Sequence, residues 1–177
     1  MANYSITLNF FLPKKIVEAL KEVKISGNFV FDWRNSDFCH VTVKAISLTD
    51  EKPKKDILDE WIAKSKKILD EQKSFKVSIK DVAKFPTALF AGVESKELSK
   101  LHKKLFKILS SSQLQFENEN YVPHASIGVL ENDVELISGK GQDFGEFEAK
   151  EIQLMIWNLK DLKKSIICHK FRLAETP

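Results

Sequence analysis

Cysteine and long apolar runs are the features that this sequence most clearly lacks. Cys39 and Cys168 are its two cysteines, too few for a disulfide framework and without the spacing of a zinc site. No apolar run approaches the roughly 20 residues that a transmembrane helix needs. The N-terminus has no basic stretch followed by an apolar one, as a signal peptide would have. We therefore expect a soluble protein of the cytoplasm, with reduced thiols and no membrane partner.

Arginine is also scarce, because Arg34 and Arg172 are the only arginines among 28 basic residues. The 25 acidic residues are interleaved with the lysines, and the formal net charge is only +3 at pH 7. A charge of this size permits an anionic partner without requiring one. Most of the lysines are therefore expected on solvated helix faces, and the function has to be sought in particular residues.

Apolar periodicity divides the chain into strands and helices, with no flexible linker between them. Alternating patterns predict strands, and an apolar residue at every third or fourth position predicts helices. The predicted strands cover residues 4–12, 29–33, 38–48, 75–82, 88–93, 113–118, 121–130, 147–159 and 165–173. The predicted helices begin near residues 14, 51 and 96. This content predicts an α+β fold in a single compact domain spanning residues 1–177.

The order strand, helix, short strand, long strand occurs twice, over residues 4–48 and again over residues 86–130. His124 lies 84 positions after His40 (124 − 40), and the same offset brings the starts of the preceding strand and helix into register. Internal repeats of this kind indicate two related lobes. We predict a bilobal, pseudo-symmetric fold in which two antiparallel sheets face a central cleft and the helices pack outside.

Each half of the repeat carries a histidine that is followed two residues later by a hydroxyl residue. The two pairs are His40 with Thr42, and His124 with Ser126. Side chains two apart on a strand point to the same face, so each strand presents an imidazole beside a hydroxyl. A single histidine on a strand is usually structural, and the duplication at matching places is what points to a site. His102 and His169 have no such hydroxyl, and we predict structural roles for them.

Two imidazoles that face each other across a cleft suit the cleavage of a cyclic phosphodiester. A histidine near its ordinary pKa of about 6.5 can serve as base in one form and as acid in the other. One would take a proton from the attacking water and the other would protonate the departing sugar oxygen, while the two hydroxyls donate to phosphate oxygens. This scheme needs no cofactor and no metal. A metal site built from His40 and His124 is the weaker alternative, since two ligands make a poor zinc site.

The segments His40-Val41-Thr42-Val43 and His124-Ala125-Ser126-Ile127 resemble the paired His-x-Thr/Ser-x motifs of the 2H phosphoesterase superfamily. Phe10-Phe11-Leu12-Pro13, and Pro123 before the second motif, are similar to its branch of RNA 2′,3′-cyclic phosphodiesterases and 2′,5′ RNA ligases. The resemblance implies a bilobal fold with a water-filled cleft and metal-independent chemistry. It also implies that His40 and His124 are the acid–base pair and that Thr42 and Ser126 hold the phosphate. Which histidine is the base is left open.

Positive charge beside the phosphate is a point on which this chain departs from that branch. Members often have an arginine shortly after the second motif, where this chain has Gly128 and Val129. Lys44 shares the predicted face of His40 and could supply the charge instead. A solvated lysine at the end of a strand is the competing interpretation of Lys44.

Aromatic residues at the rim of the cleft could stack on a nucleotide base, since stacking tolerates any base. By the period-2 rule Tyr121 and Phe38 share the faces of the motif histidines on their strands, and Phe10 is a further candidate. Core packing is the competing interpretation for all three. Trp33 and Trp61 are assigned to the core or to the interface between lobes.

The leading hypothesis is a phosphodiesterase that opens 2′,3′-cyclic phosphates on RNA ends or on nucleotides, leaving a 2′-phosphate by family resemblance. One alternative is the cleavage or joining of 2′,5′-linked oligonucleotides. Another is an RNA- or nucleotide-binding module that has lost turnover. The partner in each case is RNA or a nucleotide, and we expect the chain to act as a monomer.

Overall fold

The computed structural model describes residues 2–109 and 117–175, and it places three helices and nine strands within them. In chain order these are β1 (Tyr4–Phe11), α1 (Lys14–Lys21), β2 (Phe29–Asp32), β3 (His40–Thr49), α2 (Lys55–Leu69), β4 (Phe75–Phe85), β5 (Ala88–Glu94), α3 (Lys96–Ile108), β6 (His124–Leu130), β7 (Asp143–Ala149), β8 (Glu151–Asn158) and β9 (Ile166–Arg172). Two short 3₁₀ helices cover Asn118–Asn120 and Leu162–Lys164. This mixture of antiparallel sheet and separate helices confirms the predicted α+β class.

The strands form a curled antiparallel sheet in the order β7-β4-β5-β6-β3-β1-β8-β9, and β2 pairs with β6 outside this path. The halves β7-β4-β5-β6 and β3-β1-β8-β9 meet where β3 pairs with β6, and this pairing consists of Val41 and Ala125 alone. The sheet therefore has a narrow junction at its centre, at the place where the two motifs lie. The division into two related lobes over residues 4–48 and 86–130 stays a prediction.

The helices cover the face of the sheet that the period-2 rule assigns to the core. Val41 and Val43 of β3, and Ala125 and Ile127 of β6, are fully buried there. Helix α3 begins after Ser95, whose side-chain oxygen accepts a hydrogen bond from the N–H of Leu98 at 3.3 Å, as an N-cap residue does. Its apolar stripe of leucines packs into the same core. The motif histidines and hydroxyl residues point to the opposite face of both strands.

The sequence prediction differs from the structure in two later segments. Residues 147–159 are not one strand, because β7 ends at Ala149 and β8 begins at Glu151. These strands lie in different halves of the sheet, with β7 against β4 and β8 against β1. The strand predicted over 113–118 falls mostly outside the described residues, and its last residue begins a 3₁₀ helix. Within residues 2–109 and 117–175, no helix is both long and apolar enough to cross a membrane.

Candidate active site

The two motifs lie side by side because β3 and β6 cross at Val41 and Ala125. Each of these buried residues is flanked along its strand by a motif histidine and a motif hydroxyl residue, which point to the other side of the sheet. Since the strands are antiparallel, each histidine lies on the same side of the crossing as the hydroxyl residue of the other strand. The resulting neighbours are His40 with Ser126, and His124 with Thr42.

Both imidazoles are held in the same way by the backbone. Nδ1 of His40 lies 2.6 Å from the carbonyl oxygen of Phe38, and Nδ1 of His124 lies 2.8 Å from the carbonyl oxygen of Val122. A carbonyl oxygen only accepts hydrogen bonds, so Nδ1 carries the proton in both rings. In the neutral form of either ring Nε2 is therefore the nitrogen with the free lone pair, and it is the atom available for proton transfer.

Aromatic rings enclose His40. The indole of Trp157 stacks on its imidazole with centroids 4.5 Å apart, and the rings of Trp33 and Phe11 lie at 5.7 and 5.9 Å. This burial lowers the pKa of His40 from 6.5 to about 4, against the effect of the Phe38 carbonyl, and the nearby His124 lowers it further. Because burial disfavours the charged form, His40 is neutral near pH 7.

His124 has a different aromatic environment on the other half of the sheet. The rings of Phe85 and Phe90 meet its imidazole edge-on, with centroids 5.6 and 5.7 Å away. Phe85 and Phe90 also stack on each other at 4.3 Å. Phe85 is 41% exposed, so this wall reaches the surface. The rings around His124 come from its own half of the sheet, whereas His40 also contacts Trp33, which follows the strand β2 paired with β6.

A cavity of about 580 Å³ lies over the motif strands. His40, Thr42 and Ser126 line it, whereas His124 lies outside its lining. The remaining lining is mainly aromatic and apolar, and its charged residues are Lys160, Asp161 and Lys163. Ligand pockets are commonly of about 300–1,000 Å³, so the space suits a nucleotide.

A chain of buried hydrogen bonds links Thr42 to the wall of this cavity. The Thr42 hydroxyl donates to Oδ1 of Asn9 at 3.1 Å, and Nδ2 of Asn9 donates to the Thr7 hydroxyl oxygen at 2.7 Å. The indole N–H of Trp157 donates to the same Thr7 oxygen at 2.8 Å. Asn9 is completely buried, and nothing in the motif analysis pointed to it.

Lys44 does not reach the cleft, so the prediction made for it is wrong. Asn9 of β1 pairs with Thr42, and its neighbour Leu8 pairs with Lys44, so that Val43 of β3 has no partner on β1. This bulge puts an extra residue into β3 and turns Lys44 to the buried side. Its side chain is 0% exposed there, and its ammonium lies 2.8 Å from the Glu117 carboxylate. Burial lowers the pKa of Lys44, and Glu117 acts in the opposite direction.

Two of the three predicted aromatic contacts are core residues. Phe10 is 2% exposed and packs edge-on against Phe75 and Phe147 on the helix side of the sheet. Tyr121 stacks on His102 at 3.8 Å, and its hydroxyl donates to the Thr42 carbonyl at 2.8 Å. The interpretation of Phe10 and Tyr121 as cleft residues is therefore corrected to core packing.

Phe38 does line the cavity, and so does Trp33. The assignment of Trp33 to the core is thus wrong, because its ring faces the cleft between Phe31 and His40, and its alternative assignment to the interface between lobes stays a prediction. Trp61, by contrast, packs against the core as predicted. The period-2 rule could not predict the direction of the Trp33 side chain, because Trp33 lies after the end of β2 and the rule holds only within a strand.

The cations of the cavity come from the connection between β8 and β9. Lys160 and Lys163 line it, and within the described parts of the chain neither ammonium has a carboxylate partner. Lys164, on the same turn, is 3.3 Å from the Asp161 carboxylate. Arg34 is occupied elsewhere, because its guanidinium binds the Asp32 carboxylate and donates to backbone carbonyls at the C-terminal end of α1 and just beyond it. No sequence pattern predicted that this connection, which is distant from both motifs along the chain, would line the cavity.

Metal-binding clusters and thiols are the other reactive features to be located among the described residues. No three His, Cys, Asp or Glu side chains of residues 2–109 and 117–175 cluster in a way that could hold a metal ion. Cys39 lies beside the site, with its sulfur 3.9 Å from the Ser126 carbonyl oxygen. Burial raises its pKa to about 12, so the nucleophilic thiolate is scarce.

Comparisons with known proteins agree with this geometry. A family model described as the 2′-5′ RNA ligase superfamily matches residues 12–161. The RNA 2′,3′-cyclic phosphodiesterase of Methanocaldococcus jannaschii is 29% identical over 156 residues, which is 81% of this chain and 83% of that protein. The matched regions include both motifs.

Solved structures share the fold at low sequence identity. The protein TT0787 of Thermus thermophilus superimposes with a TM-score of 0.71 and 16% identity, over 98% of this chain and all of that one. LigT of E. coli, in its crystal structure with 3′-AMP, gives a TM-score of 0.73 and 14% identity, over 97% of this chain and 99% of that one. The shared architecture thus extends over almost the whole chain.

Proposed function

We propose that this chain, which belongs to the 2′-5′ RNA ligase superfamily, hydrolyses 2′,3′-cyclic phosphates at RNA ends or on nucleotides. The observation that carries the proposal is the crossing of β3 and β6, which brings two imidazole–hydroxyl pairs to one face. Membership of the family agrees with the resemblance that the two motifs predicted. The activity named for the M. jannaschii relative points to the same substrate class.

His40 is the base in this proposal. Its lowered pKa keeps the ring neutral, and the hydrogen bond from Nδ1 to the Phe38 carbonyl leaves the Nε2 lone pair for a proton. Nε2 takes a proton from water as the water oxygen bonds to phosphorus. The imidazolium form of His124 donates its Nε2 proton to O3′ as the P–O3′ bond breaks. The product is a 2′-phosphate, and the two rings exchange their protons with solvent before the next cycle.

Thr42 and Ser126 hold the phosphate. Each lies beside the histidine of the other motif on the same side of the strand crossing, so a phosphorus atom over the crossing has a hydroxyl and an imidazole on each side. Hydroxyl donors aimed at phosphate oxygens stabilise the charge that shifts onto them during attack. Neither residue needs a metal ion for this role.

The cavity supports a nucleotide at the end of an RNA chain. Phe31, Trp33 and Phe38 form an aromatic wall on which a base can stack, and such stacking contributes roughly 1–3 kcal/mol per base. Lys160 and Lys163 also line the cavity, and their ammonium groups can bind a second phosphate. We infer that a terminal cyclic phosphate followed by further nucleotides is bound more tightly than a mononucleotide.

Hydrolysis of 2′,3′-cyclic nucleotides and of cyclic-phosphate-ended RNA, with and without EDTA, tests the proposal. The expected result is EDTA-resistant turnover, which His40→Ala and His124→Ala each reduce by roughly 10²- to 10⁴-fold. His169→Ala is the matched control, because this histidine lies on β9 against Phe171. Loss of turnover with EDTA would contradict metal-independent chemistry.

The same assay with 2′,5′-linked oligoadenylate separates the alternatives. Faster cleavage of this substrate than of cyclic phosphates would favour a 2′,5′-phosphodiesterase or ligase. Binding of nucleotides without turnover of any substrate would favour a binding module. Either result would replace the function proposed above.

A further inference from the structure

Asn9 is a buried polar residue that the proposed chemistry does not use directly. It is completely buried on β1, where its amide bridges the hydroxyls of Thr7 and Thr42. Burying an amide is unfavourable unless its hydrogen bonds are satisfied, so its position beside a phosphate-binding hydroxyl calls for a reason. The direction of these hydrogen bonds supplies one.

In the arrangement observed, the Thr42 hydrogen is used within the protein. A hydroxyl has a single hydrogen, and that of Thr42 donates to Oδ1 of Asn9. Phosphate oxygens only accept, so Thr42 cannot donate to phosphate while this bond persists. The Thr7 oxygen meanwhile accepts from both Asn9 and Trp157.

Turning the Asn9 amide by 180° exchanges Oδ1 and Nδ2 and reverses part of this chain. Nδ2 then donates to Thr42, and the Thr7 hydroxyl donates to Oδ1. The indole N–H of Trp157 is a donor only, so the bond to Thr7 keeps its direction. Every bond then points the same way, from Trp157 through Thr7 and Asn9 to Thr42, and the Thr42 hydrogen is released toward the cleft.

We propose that Asn9 is a positioning residue whose amide turns over when phosphate binds, so that Trp157, Thr7 and Asn9 aim the Thr42 hydroxyl at the phosphate. This inference rests on the proposed function, because it assigns Thr42 to the phosphate. Hydrogen bonds aligned in one direction strengthen one another. Asn9 acts through Thr42 and does not touch the substrate.

A double-mutant cycle on hydrolysis tests the coupling. Thr42→Val is expected to lower kcat roughly 10²-fold by removing one donor to the phosphate. Asn9→Leu, which keeps the volume but removes both bonds, is expected to lower kcat roughly tenfold with little change in KM. Asn9→Leu in the Thr42→Val background should then lower kcat no further. Independent losses that multiply in the double variant, or no loss for Asn9→Leu alone, would overturn the proposal.

NMR spectroscopy with inorganic phosphate reads the amide without any turnover. Nuclear Overhauser contacts from the Asn9 side-chain amide protons should point to the Thr7 methyl group in the free protein. On saturation with phosphate they should move to the Thr42 methyl group. Contacts that stay with Thr7 at saturation would overturn the inference. Failure of wild-type protein to hydrolyse any cyclic phosphate would refute the proposed function, and this NMR result would still decide the role of Asn9.

Discussion

The indole of Trp157 stacks on the imidazole of His40, with ring centroids 4.5 Å apart and planes inclined by 23°. Trp157 is 4% exposed, so it shields one whole face of the ring from water. Desolvation of this kind is the main cause of the lowered pKa of His40. The contact therefore links a residue of β8 to the pKa of the histidine on β3.

Replacing Trp157 with leucine should raise the pKa of His40 from about 4 toward its ordinary value of 6.5, because water can then reach the ring. Titration of the His40 imidazole by NMR measures this, and the acid limb of kcat/KM should move upward with it. Trp61→Leu is the matched control, since Trp61 packs against the core. A pKa of His40 that stays near 4 in Trp157→Leu would contradict the assigned cause.

The lowered pKa of His40 also makes folding depend on pH. The unfolded chain takes up this proton near pH 6.5 and the folded protein only near pH 4, so the unfolded state binds more protons between these values. The contribution of His40 to the free energy of unfolding is therefore fully present above about pH 6.5 and is lost as pH falls toward 4. The two pKa values set its size at no more than about 3 kcal/mol.

Urea unfolding at pH 7 and at pH 4.5 measures that loss. His40→Asn keeps a donor in reach of the Phe38 carbonyl but does not titrate in this range. Wild-type protein should lose more free energy of unfolding between the two pH values than His40→Asn. Equal losses would show that His40 is not the group responsible.

Lys163→Gln should raise KM for cyclic-phosphate-ended RNA more than KM for a cyclic mononucleotide. The lysine lines the cavity without a carboxylate partner among the described residues, whereas Lys164 pairs with Asp161. Removing one phosphate contact should also reduce the slope of log affinity against log salt by about 0.7 for single strands. Steady-state kinetics at several salt concentrations, with Lys164→Gln as control, provide the measurement. Equal effects of the two variants on KM and on the salt dependence would contradict a phosphate contact made by Lys163 in particular.

Lys44→Met should destabilise the fold by roughly 3–5 kcal/mol, because it leaves the Glu117 carboxylate buried without its cation. Both side chains are at most 2% exposed, and their charged atoms are 2.8 Å apart. Chemical denaturation measures the change. Adding Glu117→Leu to this variant should restore part of the loss, and failure to do so would argue against an unpaired charge as the cause.

The meeting of the four motif residues on one face of the sheet could be predicted because each motif lies on a regular strand. Alternation fixes the face of every second side chain, and the repeat then pairs the two strands. The same rule failed for Lys44, only two residues beyond Thr42. The bulge opposite Leu8 and Asn9 lies between them, and a bulge leaves no mark in the apolar pattern.

The rest of the site depends on contacts between distant parts of the chain. Trp157 reaches Thr7 across 150 positions, and the lysines that line the cavity follow β8 directly. No local pattern reports which strand will lie beside β1, so these residues are visible only once the sheet order is known. Asn9 could not be recognised from the sequence for the same reason, since its role depends on a hydrogen bond with Thr42 of β3.

The pairing of β1 with β8 has a consequence for the order of events during synthesis. β1 emerges from the ribosome early, but its second neighbour, with Trp157, is made about 150 residues later. Until then the edge of β1 is unpaired and one face of His40 is open to water. The shortest nascent chain that can hold His40 in its finished environment therefore ends beyond β8, and a chain released before β8 should leave one face of His40 open to water.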